Sequence, residues 1–303
     1  PEPVASTHKP IALDVSRTTE GGERNLSGGD FLTTARAAND VAITVRGSKK
    51  TAFTCHMHLT PTSLGDSKVM SAWRPGSSAQ LAVATEKDGS GLLILYDLAA
   101  KPTPRATATH NLGPGQPIKL DWSPDGYTLA IMQQGVGIFL WDVSVPGPPL
   151  RLAPSITCAA TFSMWSKRFQ QLAIGTSGGK VIIFNKPQGV MQLHEKKGKH
   201  GAAVTCGDWT DDNRLGLASG TRVKICKPLS ETGAQWESHS KFKLSGMMSR
   251  VPKKFMESGA PKLLSFSLSF PPFVAVCIGD NYMLVFGTNT ASNVDEDVGL
   301  TFP

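Results

Sequence analysis

Asp121-Trp122-Ser123-Pro124-Asp125-Gly126-Tyr127 runs into Leu129-Ala130-Ile131-Met132 and then, past Gly135-Val136-Gly137, into Ile138-Phe139-Leu140-Trp141-Asp142. Ser-Pro-Asp-Gly is turn chemistry, because Pro presets φ, Asp bonds its own backbone and Gly accepts positive φ. The two apolar runs that follow are strand-sized and bounded by glycine, so the segment reads strand, turn, strand, turn, strand. A small sheet of this kind has apolar side chains on both faces and cannot hide both alone. Copies packed side by side do hide them, which is the physical reason for radial repetition.

The copies are present on either side. Tryptophans stand at 73, 122, 165 and 209, at intervals of 49, 43 and 44, close to the roughly 40–45 residues of a four-stranded blade. Trp73 leads to Leu81-Ala82-Val83-Ala84 and Leu92-Leu93-Ile94-Leu95-Tyr96-Asp97. Trp165 leads to Leu172-Ala173-Ile174-Gly175 and Val181-Ile182-Ile183-Phe184-Asn185, and Trp209 to Leu215-Gly216-Leu217-Ala218 and Val223-Lys224-Ile225-Cys226. A fifth unit, Leu263 to Phe270, Phe273 to Cys277 and Tyr282 to Phe286, lacks the tryptophan, and Val298 to Phe302 is expected to begin a further outer strand. No long segment carries helical periodicity. The pattern predicts an all-β chain built as a WD-repeat β-propeller, with about five blades of an expected seven and an incomplete ring. Residues 1–48, rich in Ser, Thr, Gly and charge, are expected to be a flexible N-terminal extension. Residues 49–303 are expected to form the partial propeller, with an insertion at about 227–261. The four tryptophans are expected to be structural anchors of the inner strands.

Two segments carry a more specific likeness. Met164-Trp165-Ser166-Lys167 with Leu172 to Thr176 and Gly179 to Asn185, and Gly198-Lys199-His200 leading into Val204-Thr205-Cys206-Gly207-Asp208-Trp209, together resemble the N-terminal propeller of the WD repeat-containing protein 19 family. The unit from Asp121 to Asp142 fits the same register. The resemblance implies a non-enzymatic scaffold, a subunit of intraflagellar transport complex A acting in retrograde transport and the entry of membrane cargo. It implies other subunits of that complex as partners, and a place in the cytoplasm, the cilium or flagellum and its base. The family's long helical-repeat tail is not in this sequence, and the extension and the insertion depart from the pattern. The repeats are worn: Trp141-Asp142 is the one literal Trp-Asp pair. The buried His, Ser/Thr, Asp and Trp network of ordinary WD repeats, of which His200 would be one member, is expected to be incomplete, leaving apolar packing to hold the blades.

The totals agree with a soluble globular chain: 303 residues, 40% hydrophobic and 18% charged. No apolar run approaches the roughly 20 residues of a membrane helix. The first residues hold no secretion core, so a cytoplasmic chain is expected. A start at Pro1 is expected of a fragment. Five scattered cysteines without a CxxC spacing argue against a disulfide framework or a structural zinc site.

No residue is assigned a catalytic, cofactor or metal role. Cys55-His56-Met57-His58 has soft and imidazole ligands, but on a strand the two histidines and the cysteine face opposite ways. A nucleophile elbow, a P-loop and G-x-G-x-x-G are all missing from the sequence. The net charge of +7 favours anionic partners. Lys196, Lys197 and Lys199 in one connection, with Lys253 and Lys254 in the insertion, are the candidate contacts for such a partner. The alternative to a subunit scaffold is therefore a generic propeller that binds anionic lipid or nucleic acid through basic loops. Nucleic acid is disfavoured because no aromatic residues interleave the cations. An incomplete ring leaves unpaired blade faces, which predicts closure by a second copy.

Overall fold

The computed structural model describes residues 12–15, 31–37, 40–45, 51–56, 70–77, 80–97, 105–152, 159–186, 189–192, 200–229, 235–244, 260–267, 272–278, 282–288 and 300–302. For those up to 56, for 189–192 and for 300–302 the description is of strands and their pairing. The described residues form six four-stranded sheets, each an antiparallel meander in chain order.

The first sheet holds β1 (Ala12–Val15), β2 (Phe31–Ala37), β3 (Asp40–Val45) and β4 (Thr51–His56). The second holds β5 (Met70–Trp73), β6 (Gln80–Lys87), β7 (Ser90–Asp97) and β8 (Arg105–Pro114). The third holds β9 (Pro117–Trp122), β10 (Thr128–Gln133), β11 (Gly137–Asp142) and β12 (Leu150–Arg151). The fourth holds β13 (Ala160–Trp165), β14 (Gln171–Thr176), β15 (Val181–Asn185) and β16 (Gly189–Gln192). The fifth holds β17 (Val204–Trp209), β18 (Leu215–Ser219), β19 (Arg222–Pro228) and β20 (Trp236–Lys243). The sixth holds β21 (Pro261–Phe266), β22 (Phe273–Ile278), β23 (Tyr282–Gly287) and β24 (Leu300–Phe302). The chain divides into two compact units, Pro1–Leu152 with the first three sheets and Ala153–Pro303 with the last three.

Two placements differ from the sequence reading. A sheet occupies residues 12–56, and its strands β3 and β4 pair across the expected boundary at 48. Its strands lack the tryptophan by which the other units were recognised, so six sheets stand where about five were read. Part of the expected insertion is β20, the outer strand of the fifth sheet, closed over by the buried Trp236. The outer strand expected at 298–302 is present: residues 300–302 pair with β23 and complete the sixth sheet.

The tryptophan-bearing strand is the first of its sheet, and the second strand is the most enclosed. Every residue of β10, β14 and β18 is buried. A strand covered on both faces needs apolar or small side chains throughout, which accounts for Leu129-Ala130-Ile131, Leu172-Ala173-Ile174 and Leu215-Gly216-Leu217. The core lies between sheets. In the first unit Ala82, Leu93 and Leu95 pack on Trp122, Leu129 and Ile131. In the second unit Ala173 and Ile183 pack on Trp209 and Leu217, and on the far side of the fifth sheet Val223, Ile225 and Phe242 pack on Leu264, Val276 and Phe286. Each such Leu or Ile contributes about 1.5–3 kcal/mol.

Candidate protein-interaction rim

The four tryptophans end β5, β9, β13 and β17 and are all buried. Two of them bridge sheets by the same bond. The Trp122 indole N–H donates to the Ala72 carbonyl at 3.2 Å, and the Trp209 indole N–H donates to the Met164 carbonyl at 3.0 Å. In both cases the acceptor immediately precedes the tryptophan of the sheet before, so the repeat in sequence is a repeat of contacts. Trp209 also meets Trp236 edge-on, with centroids 5.6 Å apart.

Past each tryptophan comes the turn to the second strand. In the first unit the Tyr127 amide donates to Asp125 at 2.9 Å and the Thr128 amide to the Ser123 hydroxyl at 2.9 Å. Gly126 has φ of 72°, and a Cβ there would lie 2.3 Å from the Pro75 carbonyl oxygen. Only glycine allows the turn to approach the second sheet so closely. Arg74 seals the contact: its Nε donates to the Gly126 carbonyl at 2.7 Å and Nη1 to Gln80 at 2.6 Å. Its guanidinium lies 5.5 Å from the Tyr127 ring centre.

The second unit repeats the device with other side chains. The Arg214 amide donates to Thr210 Oγ1 at 2.8 Å, in the place of the Ser123 bond. Asn213, with φ of 63°, occupies the left-handed position that Gly126 holds in the other turn. Its Nδ2 donates to the buried Gln171 Oε1 at 3.0 Å, across to the fourth sheet, while Ser166 Oγ donates to its Oδ1 at 3.3 Å. Beside it Asp208 ties three sheets together. It accepts from the Phe266 amide at 2.9 Å, from Ser265 Oγ at 3.4 Å and from Lys167 Nζ at 3.4 Å.

In a meander the turns joining strands one to two and three to four share one rim, and the two-to-three turn lies on the other. Seven large apolar side chains are exposed among the described residues. Six of them sit in these one-to-two and three-to-four connections or on the first residue of the next strand: Tyr127, Val145 and Leu150 in the first unit, Phe169, Leu229 and Phe273 in the second. The seventh, Leu263, lies within β21. The described opposite turns carry mainly small and polar residues: Asp88-Gly89, Gln134-Gly135 with a half-buried Val136, Ser177-Gly178-Gly179 and Gly220-Thr221. Among the described residues of each unit the large exposed apolar side chains therefore gather on one rim, the arrangement expected of a contact surface.

His200 enters β17 fully buried, its amide donating to the Gly179 carbonyl at 2.8 Å. Neither ring nitrogen has a hydrogen-bond partner among the described residues. Burial first, and then the Lys224 ammonium, hold its pKa down to about 4. Trp141 donates to the Gly147 carbonyl at 3.1 Å, and His110 meets its ring edge-on at 4.7 Å. The basic residues Lys196, Lys197, Lys199, Lys253 and Lys254 lie outside the described residues, as do the side chains of the Cys55 to His58 cluster. Among the described residues no group of three or more His, Cys, Asp or Glu is arranged to hold a metal ion. The turn locks and the apolar rim escaped the sequence reading, although the shared Ser/Thr-x-Asp signature after Trp122 and Trp209 was there to find them.

The model of the WDR19 first beta-propeller matches residues 69–240 of the chain. The chain belongs to this family. Among curated proteins, WD repeat-containing protein 19 of Mus musculus and of Homo sapiens are each 33% identical over 108 residues, which is 34% of this chain and 8% of each relative. The chain thus spans less than a tenth of the length of the relatives it matches. Among solved structures, a chain of the Mitotic Checkpoint Complex superposes with a TM-score of 0.63 at 15% identity, over 100% of this chain and 87% of that one. Chaetomium thermophilum Sqt1, bound to the N-terminus of the ribosomal protein L10, superposes with a TM-score of 0.63 at 14% identity, over 87% of this chain and 70% of that one. At such identities the likeness shows the fold alone, an all-β WD-repeat propeller. For this WDR19-family propeller the six sheets are its blades, and the repeated turn locks join the second to the third and the fourth to the fifth.

Proposed function

We propose that the chain is the propeller arm of an intraflagellar transport complex A subunit, a scaffold without catalytic function that serves retrograde transport and cargo entry. The match to the WDR19 first propeller over residues 69–240 carries this reading. The apolar rim supports it, because exposed aromatic and aliphatic anchors on rigid turns are what a protein partner binds. In this reading Tyr127, Phe169, Leu229 and Phe273 contact neighbouring subunits or cargo, and the four tryptophans serve as core anchors. The chain works in the cytoplasm, at the base of the cilium or flagellum and along it. A second copy closing on an open blade face, and a basic contact through Lys196, Lys197, Lys199, Lys253 and Lys254, belong to the same proposal. The test is an affinity pull-down of the intact gene product from ciliated or flagellated cells, read by mass spectrometry. Recovery of the other complex A subunits is expected. Their absence, with lipid or nucleic acid recovered instead, overturns the scaffold reading and moves the function to the basic loops.

A further inference from the structure

The outer hairpin of the fifth sheet is charged in a way that its own fold does not reward. In the register of β19 with β20, Arg222 stands opposite Lys243 and Lys224 opposite Lys241. Residues two apart on a strand share a face, and so do directly paired residues. All four cations therefore project from one face, about 5 Å apart across the strands and about 7 Å apart along them. Arg222, Lys241 and Lys243 are exposed and Lys224 is half-buried. Like charges directly opposite each other destabilise a sheet. No ion pair joins a carboxylate to Arg222, Lys241 or Lys243 among the described residues, where the fifth sheet's pairs are Arg214 with Asp212, Lys227 with Glu237 and Lys167 with Asp208. Burial lowers the Lys224 pKa, and the Lys241 and Arg222 charges lower it further against the raising effect of Cys226.

This is local to one end of one hairpin. At the other end of the same strands Lys227 meets Glu237 at 3.1 Å. In the second sheet the corresponding outer pair sets Asp97 opposite Arg105. The reverse face of the fifth sheet packs on the sixth through Val223, Ile225 and Phe242, and on the ladder's own face Leu217, Cys226 and Trp236 pack with the fourth sheet, so the cations occupy only the outer end of that face. β20 is also the last strand of its sheet, and no strand among the described residues pairs with its outer edge.

We propose that β20 is a docking edge for an extended acidic segment of a partner protein, which adds a fifth strand to this sheet. Main-chain bonds to the open edge supply the affinity, and carboxylates at every second position meet Lys241 and Lys243, with Lys224 and Arg222 behind them. The two-by-two spacing matches the side-chain period of a strand. A lipid surface fits less well, because the exposed large apolar side chain nearest in sequence, Leu229, lies beyond the opposite end of the hairpin. Nucleic acid fits less well because no aromatic side chain lies among the four cations to stack a base. The proposal deepens the scaffold reading by naming a partner chemistry, and it is tested on the chain by itself. Failure of peptide binding leaves the transport reading standing, and failure of the pull-down leaves peptide binding standing.

The probe is a fluorescein-labelled octapeptide of alternating Glu and Val, compared with an isomer carrying four Glu and then four Val, by fluorescence anisotropy on the full chain. The alternating peptide is expected to bind at least about tenfold tighter, because only it presents carboxylates on one face of a strand. Lys241→Glu with Lys243→Glu is expected to lose about tenfold or more of that affinity, and Lys241→Gln with Lys243→Gln to lose part of it. Amide exchange on the unaltered chain is expected to slow in Trp236–Lys243 when the alternating peptide is added. Equal binding of the two isomers overturns the proposal, as does unchanged binding in a folded Lys241→Glu/Lys243→Glu chain. Exchange in β20 that the peptide does not alter overturns it too. Binding to phosphatidylserine vesicles without binding to the alternating peptide assigns the ladder to membranes and overturns it as well.

Discussion

Replacing Asp208 by alanine tests whether polar locks between sheets carry stability that the apolar clusters do not. The Asp208 side chain is 9% exposed. Its loss leaves the buried Phe266 amide, now 2.9 Å from a carboxylate oxygen, without that acceptor. A hydrogen bond to a charged group contributes about 1.5–3 kcal/mol net, and a buried donor left unsatisfied costs about as much. The Lys167 contact adds little, because the lysine side chain is 34% exposed and solvent screens the pair. The expected loss is about 3 kcal/mol. In a cooperative unit of this size that lowers Tm by roughly 6–12 °C. Thermal unfolding followed by circular dichroism reads the shift, and amide exchange at Pro261–Phe266 reads where it acts. Lys167→Ala is the control, with an expected shift of no more than about 3 °C. If Asp208→Ala melts within about 2 °C of the parent, or if exchange at Phe266 does not quicken, the carboxylate is not a lock between sheets.

Three further perturbations address other parts of the structure. Gly126→Ala forces a Cβ to 2.3 Å from the Pro75 carbonyl at φ of 72°; a loss of about 2 kcal/mol or more by chemical denaturation is expected, and an unchanged midpoint contradicts the close approach. His200 is held neutral, so the unfolded chain takes up a proton that the folded chain refuses between pH 6.5 and about 4. Its contribution is therefore complete above pH 6.5 and falls as pH drops toward 4, by up to about 3 kcal/mol; His200→Phe is expected to flatten that part of the stability–pH curve, and parallel curves contradict it. Phe169→Asp with Leu229→Asp, on exposed rim positions, is expected to move stability by less than about 1 kcal/mol while reducing recovery of partner subunits in the pull-down; full recovery contradicts the rim as the contact surface.

The repeat was legible because it is made of bulk. Trp73, Trp122, Trp165 and Trp209 fill one position of four sheets, and the enclosed second strands need unbroken runs such as Leu129 to Met132. The first sheet was not legible, because its strands have no tryptophan and carry Thr33, Thr34, Thr44, Thr51 and Thr54 where the others are apolar. β20 was read as insertion because its two buried aromatics, Trp236 and Phe242, stand apart among Glu, Ser, His and Lys, and a β-bulge between them turns them to opposite faces, which breaks the alternation. The cation ladder could not be seen at all before pairing was known. Arg222 and Lys243 are distant in sequence, and only the antiparallel register sets them opposite each other.

The locks also explain how worn repeats hold a propeller. At the Trp141-Asp142 pair the tryptophan bonds the Gly147 carbonyl and meets the ring edge of His110. Each unit carries polar bridges suited to its own side chains. At the rim of the one-to-two turns these are Arg74 with Gln80 and Gly126 in the first unit, and Ser166, Gln171 and Asn213 in the second. At the other rim of the third sheet, Gln133 Nε2 donates to the carbonyls of Gly113, Pro114 and Gly115, at 3.0, 3.1 and 2.6 Å. Bridges of this kind fix turns as well as sheets. Tyr127 and Phe169, two of the three exposed aromatics of the one-to-two connections among the described residues, each stand within or beside a turn that such a bridge holds. A side chain fixed before a partner arrives loses less freedom on binding. The same bonds that join the sheets therefore make the apolar rim a preorganised surface, and mutations that loosen the locks should weaken partner binding before they unfold the chain.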